Sequence, residues 1–220
     1  DDLAFHLLEA FFTSLVPESI YDLKNLNLPA ALDEASALKS LKEISKKNKV
    51  FKSYIGNGFY NCNVPAVIKR NVFENPGWYT SYTPYQPEIA QGRLEALMNY
   101  QTMVADLTAM DISNASLLDE PTAAAEAMML AHRVSKSKSN NFFIHEDTLH
   151  QTISIIKSRA KPLGIDIEVG DKPDDNKDYF GCYLQYPSAN GSVEDFSKLA
   201  DSIHSKDGLL VVGTDLLALT

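Results

Sequence analysis

The residue types best suited to chemistry are concentrated in one stretch, residues 75–91, which reads NPGWYTSYTPYQPEIAQ. Pro84 and Pro87 each restrict the preceding residue to extended conformations, so the stretch is predicted to be a stiff loop that presents phenol, hydroxyl and amide groups together. Such a loop suits a binding site. The alternative is an ordinary turn whose aromatic rings fill the core. Glu88 could act as a general acid or base, but the local sequence favours a carboxylate in the first turn of a helix.

A second candidate is residues 117–128, LLDEPTAAAEAM, where a predicted strand leads into a helix of small residues. Pro121 fits the first helical position, and Thr122 follows in the exposed first turn. The free N–H groups of such a terminus can bind an anion. The local pattern alone favours an alanine-rich packing helix without a ligand, and the chain contains neither a Walker A motif nor GxGxxG.

Two further candidates, His150 and Asp215, follow predicted strands and could lie at the carboxyl edge of a parallel sheet, where ligands collect. Taken singly, His150 is more often a helix cap and Asp215 a turn residue after a strand. No metal site is predicted, because His145 and its acidic neighbours are adjacent in sequence and do not converge on one ion. Neither GxSxG nor a Cys/His arrangement supports nucleophilic catalysis.

The composition excludes several classes of protein. The chain has 220 residues and a formal net charge of −9, which argues against nucleic acid as a partner. Its two cysteines, Cys62 and Cys182, are far apart and fit a reducing compartment better than a disulfide scaffold. No apolar run has the ~18 residues of a membrane span, and the first residues show no signal peptide. The apolar residues 208–220 suggest that the fold continues further.

The elements that position these candidates form two parts. Residues 1–50 are predicted to be a helical arm, with helices near Leu3–Val16 and Ser36–Lys49. Residues 51–220 are predicted to form an α/β domain with a mostly parallel sheet flanked by helices. The strands are predicted near Ala115–Leu118, Asn141–His145, Asp166–Val169, Phe180–Gln185 and Leu209–Gly213. The helices are predicted near Val67–Phe73, Ile89–Leu107, Thr122–Val134, Thr148–Ala160 and Val193–Ser205.

Taken together, these segments resemble the glycine decarboxylase P-protein family, the pyridoxal-phosphate component of the glycine cleavage system. The similarity is strongest over NPGWYTSYTPYQPEIAQGRLEALMNYQTMV and residues 117–128. It extends to Tyr54–Gly56, Tyr60–Asn61, His150–Ile153, Gln185–Pro187 and Thr214–Leu219. The resemblance implies a fold-type-I pyridoxal-phosphate transferase architecture. It also implies that this chain is the beginning of the amino-terminal half of a protein with two homologous halves, which lie on one chain or on separate subunits.

In that family the enzyme decarboxylates glycine and passes the aminomethyl group to the lipoyl arm of H-protein, so the resemblance implies glycine and lipoylated H-protein as partners. It implies a dimeric assembly whose active site lies where the halves meet, with the cofactor lysine in the other half. The compartment would be the cytoplasm of a bacterium, which is preferred, or a mitochondrial matrix. The residues expected to reach that active site are Tyr79, Tyr82, Thr83, Tyr85, Gln86 and Glu88.

By the same resemblance, Thr122 takes the phosphate-loop position, His150 the ring-stacking position and Asp215 the pyridinium position. These residues either bind pyridoxal 5'-phosphate or are vestigial. The last lysine, Lys206, precedes Asp215, so no cofactor lysine follows it here. Pro121 replaces the small residue usual in the family and removes one N–H from the helix terminus, which favours the vestigial interpretation.

Three hypotheses about the function therefore remain. In the first, the chain helps form the active site of glycine decarboxylase and is inactive alone. In the second, it is a structural half that only docks the cofactor-bearing half and the lipoyl carrier. In the third and weakest, it is part of a single-lobe pyridoxal-phosphate enzyme of another specificity.

Overall fold

The computed structural model describes residues 2–21, 27–79 and 86–220. The contacts divide the chain into two compact units, residues 1–53 and residues 54–220. The first unit contains helices α1 (Asp2–Leu15) and α2 (Glu34–Ser45). Helix α2 is capped by Asp33, whose carboxylate accepts a 2.7 Å hydrogen bond from the backbone N–H of Ser36. Such a cap satisfies an N–H that the helix itself leaves free.

The second unit contains a four-stranded parallel sheet made of β1 (Asn141–His145), β2 (Asp166–Gly170), β3 (Gly181–Tyr186) and β4 (Leu209–Thr214). The strand order is β2-β1-β3-β4. Gly181 pairs with both Phe142 and Leu209, so the three strands start nearly level. Their carboxyl ends consequently form one continuous edge.

Helices cover both faces of this sheet. The sheet is covered by α5 (Glu120–Val134) and α6 (His150–Ala160) on one face and by α7 (Ser197–Ser205) on the other. The unit also contains α3 (Ala66–Ile68), which continues as a π-helical turn over Lys69–Phe73, and α4 (Pro87–Thr108). Short 3₁₀ turns follow α6 (Lys161–Leu163) and β4 (Leu216–Leu219).

The core lies on the two faces of the sheet because successive strand residues point in opposite directions. Phe142 and Ile144 pack on the face covered by α5 and α6, together with the buried residues Ala124, Ala125, Met128, Ala131, Ile156, Ala160, Ile165, Phe180 and Tyr183. Phe143 packs on the opposite face with Cys182 and with Ile203 of α7. The predicted α/β architecture with a parallel sheet between helices is confirmed.

The predicted strand at Ala115–Leu118 is wrong. These residues have no regular secondary structure, and Leu118 is 87% exposed. A strand requires a hydrogen-bonded neighbour, and within the described residues the sheet ends at β4 on one side and at β2 on the other. The segment is therefore an irregular connection from α4 to α5.

Helix starts also differ from the predictions. Helix α4 begins at Pro87 rather than Ile89 and has a kink at Ala90, whose φ of −107° and ψ of 17° are non-helical. Helix α6 begins at His150 and α7 at Ser197, later than predicted. Helix α5 begins at Glu120, two residues before Thr122.

Candidate functional site at the carboxyl edge of the sheet

A cavity of about 570 Å³ lies at the carboxyl ends of β3 and β4. Its walls are the 56–60 segment, the start of α5, the residue before α6, and the residues that follow β3 and β4. Among the residues that the structure describes, the charged side chains in its lining are Glu120 and Asp215, and no lysine, arginine or histidine lines it. Its volume falls within the usual range for small-molecule sites, and its position is the usual one for ligands of parallel α/β sheets.

A buried hydrogen bond on β3 fixes one side chain of the cavity wall. Buried Tyr183 donates a 3.0 Å hydrogen bond from its phenol to Oε1 of buried Gln185. With that oxygen occupied, the amide nitrogen of Gln185 is the group left to interact with other residues of the cavity, which include Glu120.

The pKa of Glu120 is raised. The main cause is partial loss of hydration; the Gln185 amide opposes this effect, and the negative charge of Asp215 adds to it. Glu120 is exposed as a residue, so its loss of hydration is only partial. The two acidic groups of the cavity thus lie close enough to repel each other.

Asp215 follows β4 directly, as the sequence predicts. Its Oδ1 accepts a 2.8 Å hydrogen bond from the backbone N–H of Leu217, which caps the 3₁₀ turn that begins at Leu216. Among the described residues, no hydrogen bond is made to its second carboxylate oxygen. That oxygen remains available to a ligand in the cavity.

The Asp119 carboxylate caps the start of α5. Asp119 Oδ1 accepts a 2.9 Å hydrogen bond from the backbone N–H of Thr122, and the Thr122 side chain also contributes to the lowered pKa of Asp119. The next N–H, that of Ala123, donates to the Asp119 carbonyl oxygen at 2.9 Å. Pro121 has no N–H to offer.

This terminus does not fit a phosphate group. An anion site at a helix start needs free N–H groups and low negative charge. Here the Thr122 N–H already donates to Asp119, and Pro121 has no N–H. Asp119 and Glu120 also add two carboxylates. The residues that would hold the phosphate of pyridoxal 5'-phosphate in this chain are therefore occupied by protein groups.

His150 and Thr122 do not line the cavity, whereas Asp215 does. His150 is exposed at the first position of α6. Its neighbour Leu149 lines the cavity, and Gln151 donates a 2.8 Å hydrogen bond to the carbonyl oxygen of Asn57. Of the three predicted cofactor residues, the structure brings one to the cavity.

The sequence did not predict that residues 56–60 form one wall of the cavity. Gly56, Asn57 and Gly58 have φ values of 66°, 53° and 83°, a left-handed run that glycine and asparagine tolerate. A Cβ atom on Gly58 would lie 3.0 Å from Leu149 Cδ1, so the backbone passes close to the start of α6. The GNG triplet was the available signal for this turn, but its contact with Gln151 spans 94 residues.

The tyrosine-rich stretch begins with a turn in which Asn75 Oδ1 accepts a 2.9 Å hydrogen bond from the Gly77 N–H. Tyr79 has 62% of its surface exposed, and Gln86 and Glu88 are exposed as well. Glu88 lies in the first turn of α4, as the favoured interpretation predicts. Tyr82, Thr83 and Tyr85 lie outside the described residues. None of the described residues of this stretch lines the cavity.

Other classes of site receive no support from the described part of the chain. Within it, no three His, Cys, Asp or Glu residues are grouped to hold a metal ion. Cys62 is exposed, whereas Cys182 is buried in the core, and burial raises the pKa of its thiol to about 12. None of the described helices combines the length and hydropathy that crossing a membrane requires.

Comparison with known proteins decides the family. A model of the glycine cleavage system P-protein family matches residues 1–220. The chain belongs to the glycine cleavage system P-protein family. The resemblance found in the sequence is therefore confirmed along its whole length.

Among solved structures, the chain is similar to a crystal structure of glycine decarboxylase (P-protein) of the glycine cleavage system in inhibitor-bound form. The two share 28% sequence identity and superpose with a TM-score of 0.80. The match covers 96% of this chain and 49% of that P-protein chain, so the present sequence spans about half the length of its relative. The fold predicted from the resemblance is thereby confirmed.

Proposed function

We propose that this chain is the amino-terminal part of a glycine decarboxylase, the enzyme that decarboxylates glycine and transfers the aminomethyl group to the lipoyl arm of H-protein. The observation that carries the proposal is the family match over all 220 residues, combined with coverage of 49% of a glycine decarboxylase chain. Residues 1–50 would act as a helical arm and residues 51–220 as the large domain. The compartment would be the cytoplasm or a mitochondrial matrix.

In this proposal the pyridoxal phosphate of the complete enzyme is held by the other half. The closed start of α5 supports this arrangement, because Asp119 occupies the N–H of Thr122 and Pro121 removes another. Thr122, His150 and Asp215 are then vestigial with respect to that cofactor. The chain alone would not decarboxylate glycine.

The contribution of this chain to the reaction would come from Tyr79, Tyr82, Thr83, Tyr85, Gln86 and Glu88. Their role would be to orient glycine or the lipoyl arm and to exclude water from the reacting carbon. The exposure of Tyr79 supports this role, because tyrosine is enriched at surfaces that meet a partner. Glu88 is exposed as well, so its carboxyl is accessible to a substrate. These side chains would face the catalytic pocket of the other half across the interface.

The test is steady-state decarboxylation of glycine by the full-length enzyme with lipoylated H-protein. Glu88→Gln and Tyr79→Phe are each expected to lower kcat by ~10-fold or more, while the elution volume and the pyridoxal-phosphate content stay the same. Glu95→Gln is the matched control, because Glu95 is an exposed carboxylate on the same helix, two turns further along. It should leave kcat unchanged.

The competing function is a structural half that docks the cofactor-bearing half and the lipoyl carrier without touching the chemistry. The exposed aromatic side chains Tyr54, Phe59 and Tyr60 would suit such docking. This role would be supported by two results together: kcat is unchanged in Glu88→Gln and Tyr79→Phe, and Phe59→Ser raises the KM for H-protein. The same results would contradict the first proposal.

A further inference from the structure

The sequence contains two asparagines that are followed directly by glycine, Asn57 before Gly58 and Asn190 before Gly191. All four residues line the cavity at the carboxyl edge of the sheet, and both asparagines are exposed. Asparagine is one of the chemically labile residues of proteins. A glycine after it adds no side chain that would shield its own backbone nitrogen or restrict its rotation. Each pair is therefore a candidate site of deamidation.

Deamidation at such a pair is intramolecular and needs only water as a co-reactant. The glycine nitrogen loses its proton and attacks the side-chain carbonyl carbon, Cγ, of the asparagine. A C–N bond forms, and the side-chain amide leaves as ammonia with that proton. Water then opens the five-membered succinimide at either of its two carbonyl carbons, which yields aspartate or isoaspartate. Both products carry one more negative charge than asparagine, and nothing is oxidised or reduced.

At Asn190 every reacting group is held by a hydrogen bond. Its Oδ1 atom accepts from the Ser188 hydroxyl and, at 2.9 Å, from the Ser192 N–H. Its Nδ2 atom donates a 3.0 Å bond to Asp147 Oδ2. The nucleophile, the Gly191 nitrogen, donates a 2.9 Å bond to the Ser188 carbonyl oxygen. The side-chain amide must turn towards that nitrogen before it reacts, so these bonds must open first and raise the barrier.

The same groups at Asn57 are much less constrained. Its Nδ2 atom donates one long bond of 3.3 Å to the Ile55 carbonyl oxygen. Within the part of the chain that the structure describes, neither its Oδ1 atom nor the Gly58 N–H takes part in a hydrogen bond. The bond from Gln151 to the Asn57 carbonyl oxygen holds the main chain of the turn but involves no reacting group. Local opening of this exposed turn therefore brings the reacting atoms together at lower cost than at Asn190.

We propose that Asn57 is a site of spontaneous deamidation, at which the Gly58 nitrogen displaces the side-chain amide, and that Asn190 is protected by its hydrogen bonds. The product alters one wall of the cavity. It adds a negative charge to a lining in which the charged residues that the structure describes are acidic. The isoaspartyl form also lengthens the main chain by one carbon atom and turns the carbonyl group that accepts from Gln151 into a free carboxylate.

The test follows both asparagines in the complete protein, incubated in mildly alkaline buffer, where more of the glycine nitrogen is deprotonated. Peptides prepared at intervals are analysed by mass spectrometry, with electron-transfer fragmentation to distinguish isoaspartate from aspartate. The same protein in urea is the reference, because both Asn-Gly pairs are then free of the fold. Asp147→Ala frees the Nδ2 atom of Asn190, and Asp147→Asn, which retains an acceptor oxygen, is its matched control.

In the folded wild type we expect Asn57 to deamidate at least ~10-fold faster than Asn190, whereas in urea the two rates should agree within ~3-fold. Asp147→Ala should raise the rate at Asn190 by ~3-fold or more without changing the rate at Asn57, and Asp147→Asn should change neither. The unchanged rate at Asn57 also checks that each variant is folded.

The proposal is overturned if Asn190 reacts as fast as Asn57 in the folded protein, or if the same preference for Asn57 persists in urea. It is also overturned if Asn57 remains intact after the denatured protein has been fully converted. An unchanged rate at Asn190 in folded Asp147→Ala would contradict the protective role of its hydrogen bonds.

This outcome is independent of the proposed function. Deamidation is read from peptide masses and not from turnover, so normal kcat in the Tyr79 and Glu88 variants would leave it intact. Conversely, a stable Asn57 would not alter the kcat effects expected of those variants.

Discussion

Replacement of Gly213 by alanine would disturb the buried hydrogen bond between Tyr183 and Gln185. Gly213 lies on β4 opposite Gln185 of β3. A Cβ atom on Gly213 would overlap the phenol oxygen of Tyr183 and would lie 2.7 Å from its Cζ and 2.9 Å from Gln185 Oε1. Tyr183 and Gln185 are buried, so the new methyl group forces the Tyr183 ring to shift and disturbs its hydrogen bond to Gln185.

The expected cost follows from two effects. Overfilling a packed core costs about 1–3 kcal/mol. Separating the Tyr183 phenol from Gln185 leaves a buried polar group without its partner, which costs about 1–3 kcal/mol. We therefore expect Gly213→Ala to lower the free energy of unfolding by about 2–6 kcal/mol. The control, Gly92→Ala, lies in α4 with no atom within 4 Å of the new Cβ, and it should raise that free energy by about 0.5–1 kcal/mol.

The measurement is urea unfolding followed by circular dichroism, extended to the double variant Gly213→Ala/Tyr183→Phe. Removing the phenol oxygen removes the closest overlap, so the double variant should be less destabilised than the sum of the two single variants. The reasoning is refuted if Gly213→Ala unfolds at the midpoint of wild type, or if the two single effects simply add.

Three other changes test neighbouring features. Asp119→Ala should lower the thermal midpoint because it removes the cap of α5, whereas Asp119→Asn should not, because asparagine still accepts the Thr122 N–H. Equal midpoints for the two variants would contradict the capping role. The folded state holds the proton of Glu120 more tightly than the unfolded state, so stability should fall as the pH rises from the ordinary glutamate range through the raised pKa. Glu120→Gln should flatten this pH dependence in a series of melting curves, and an unchanged slope would contradict the raised pKa of Glu120. Gln151→Leu removes the hydrogen bond to the Asn57 carbonyl, so limited proteolysis should cut within residues 54–60 faster than in wild type; equal rates would show that this bond does not hold the segment.

The sheet was predictable because its signals are local. The four predicted strands from Asn141 onward begin and end within one residue of the observed bounds. Buried apolar runs such as Phe142–Ile144 bounded by polar residues produce these signals. Ala115–Leu118 carries the same apolar signal but lacks a neighbour among the described residues, and pairing cannot be read from one segment alone.

The candidate site was only partly predictable. Asp215 could be found, because a polar residue directly after a strand must lie near the carboxyl edge of the sheet. Glu120 and Gln185 could not, because their contact depends on how α5 docks on β3, and Gln151 reaches Asn57 across 94 residues. Nor could composition show that Asp119 closes the helix start, although Pro121 already weakened the expected phosphate site.

The most direct test of the central claim is a structure of the full-length enzyme with pyridoxal phosphate and glycine bound. The account predicts cofactor density in the other half, with Tyr79 and Glu88 of this chain facing that pocket and no phosphate at the start of α5. Cofactor density beside Asp215, or Tyr79 and Glu88 in open solvent far from any interface, would contradict it.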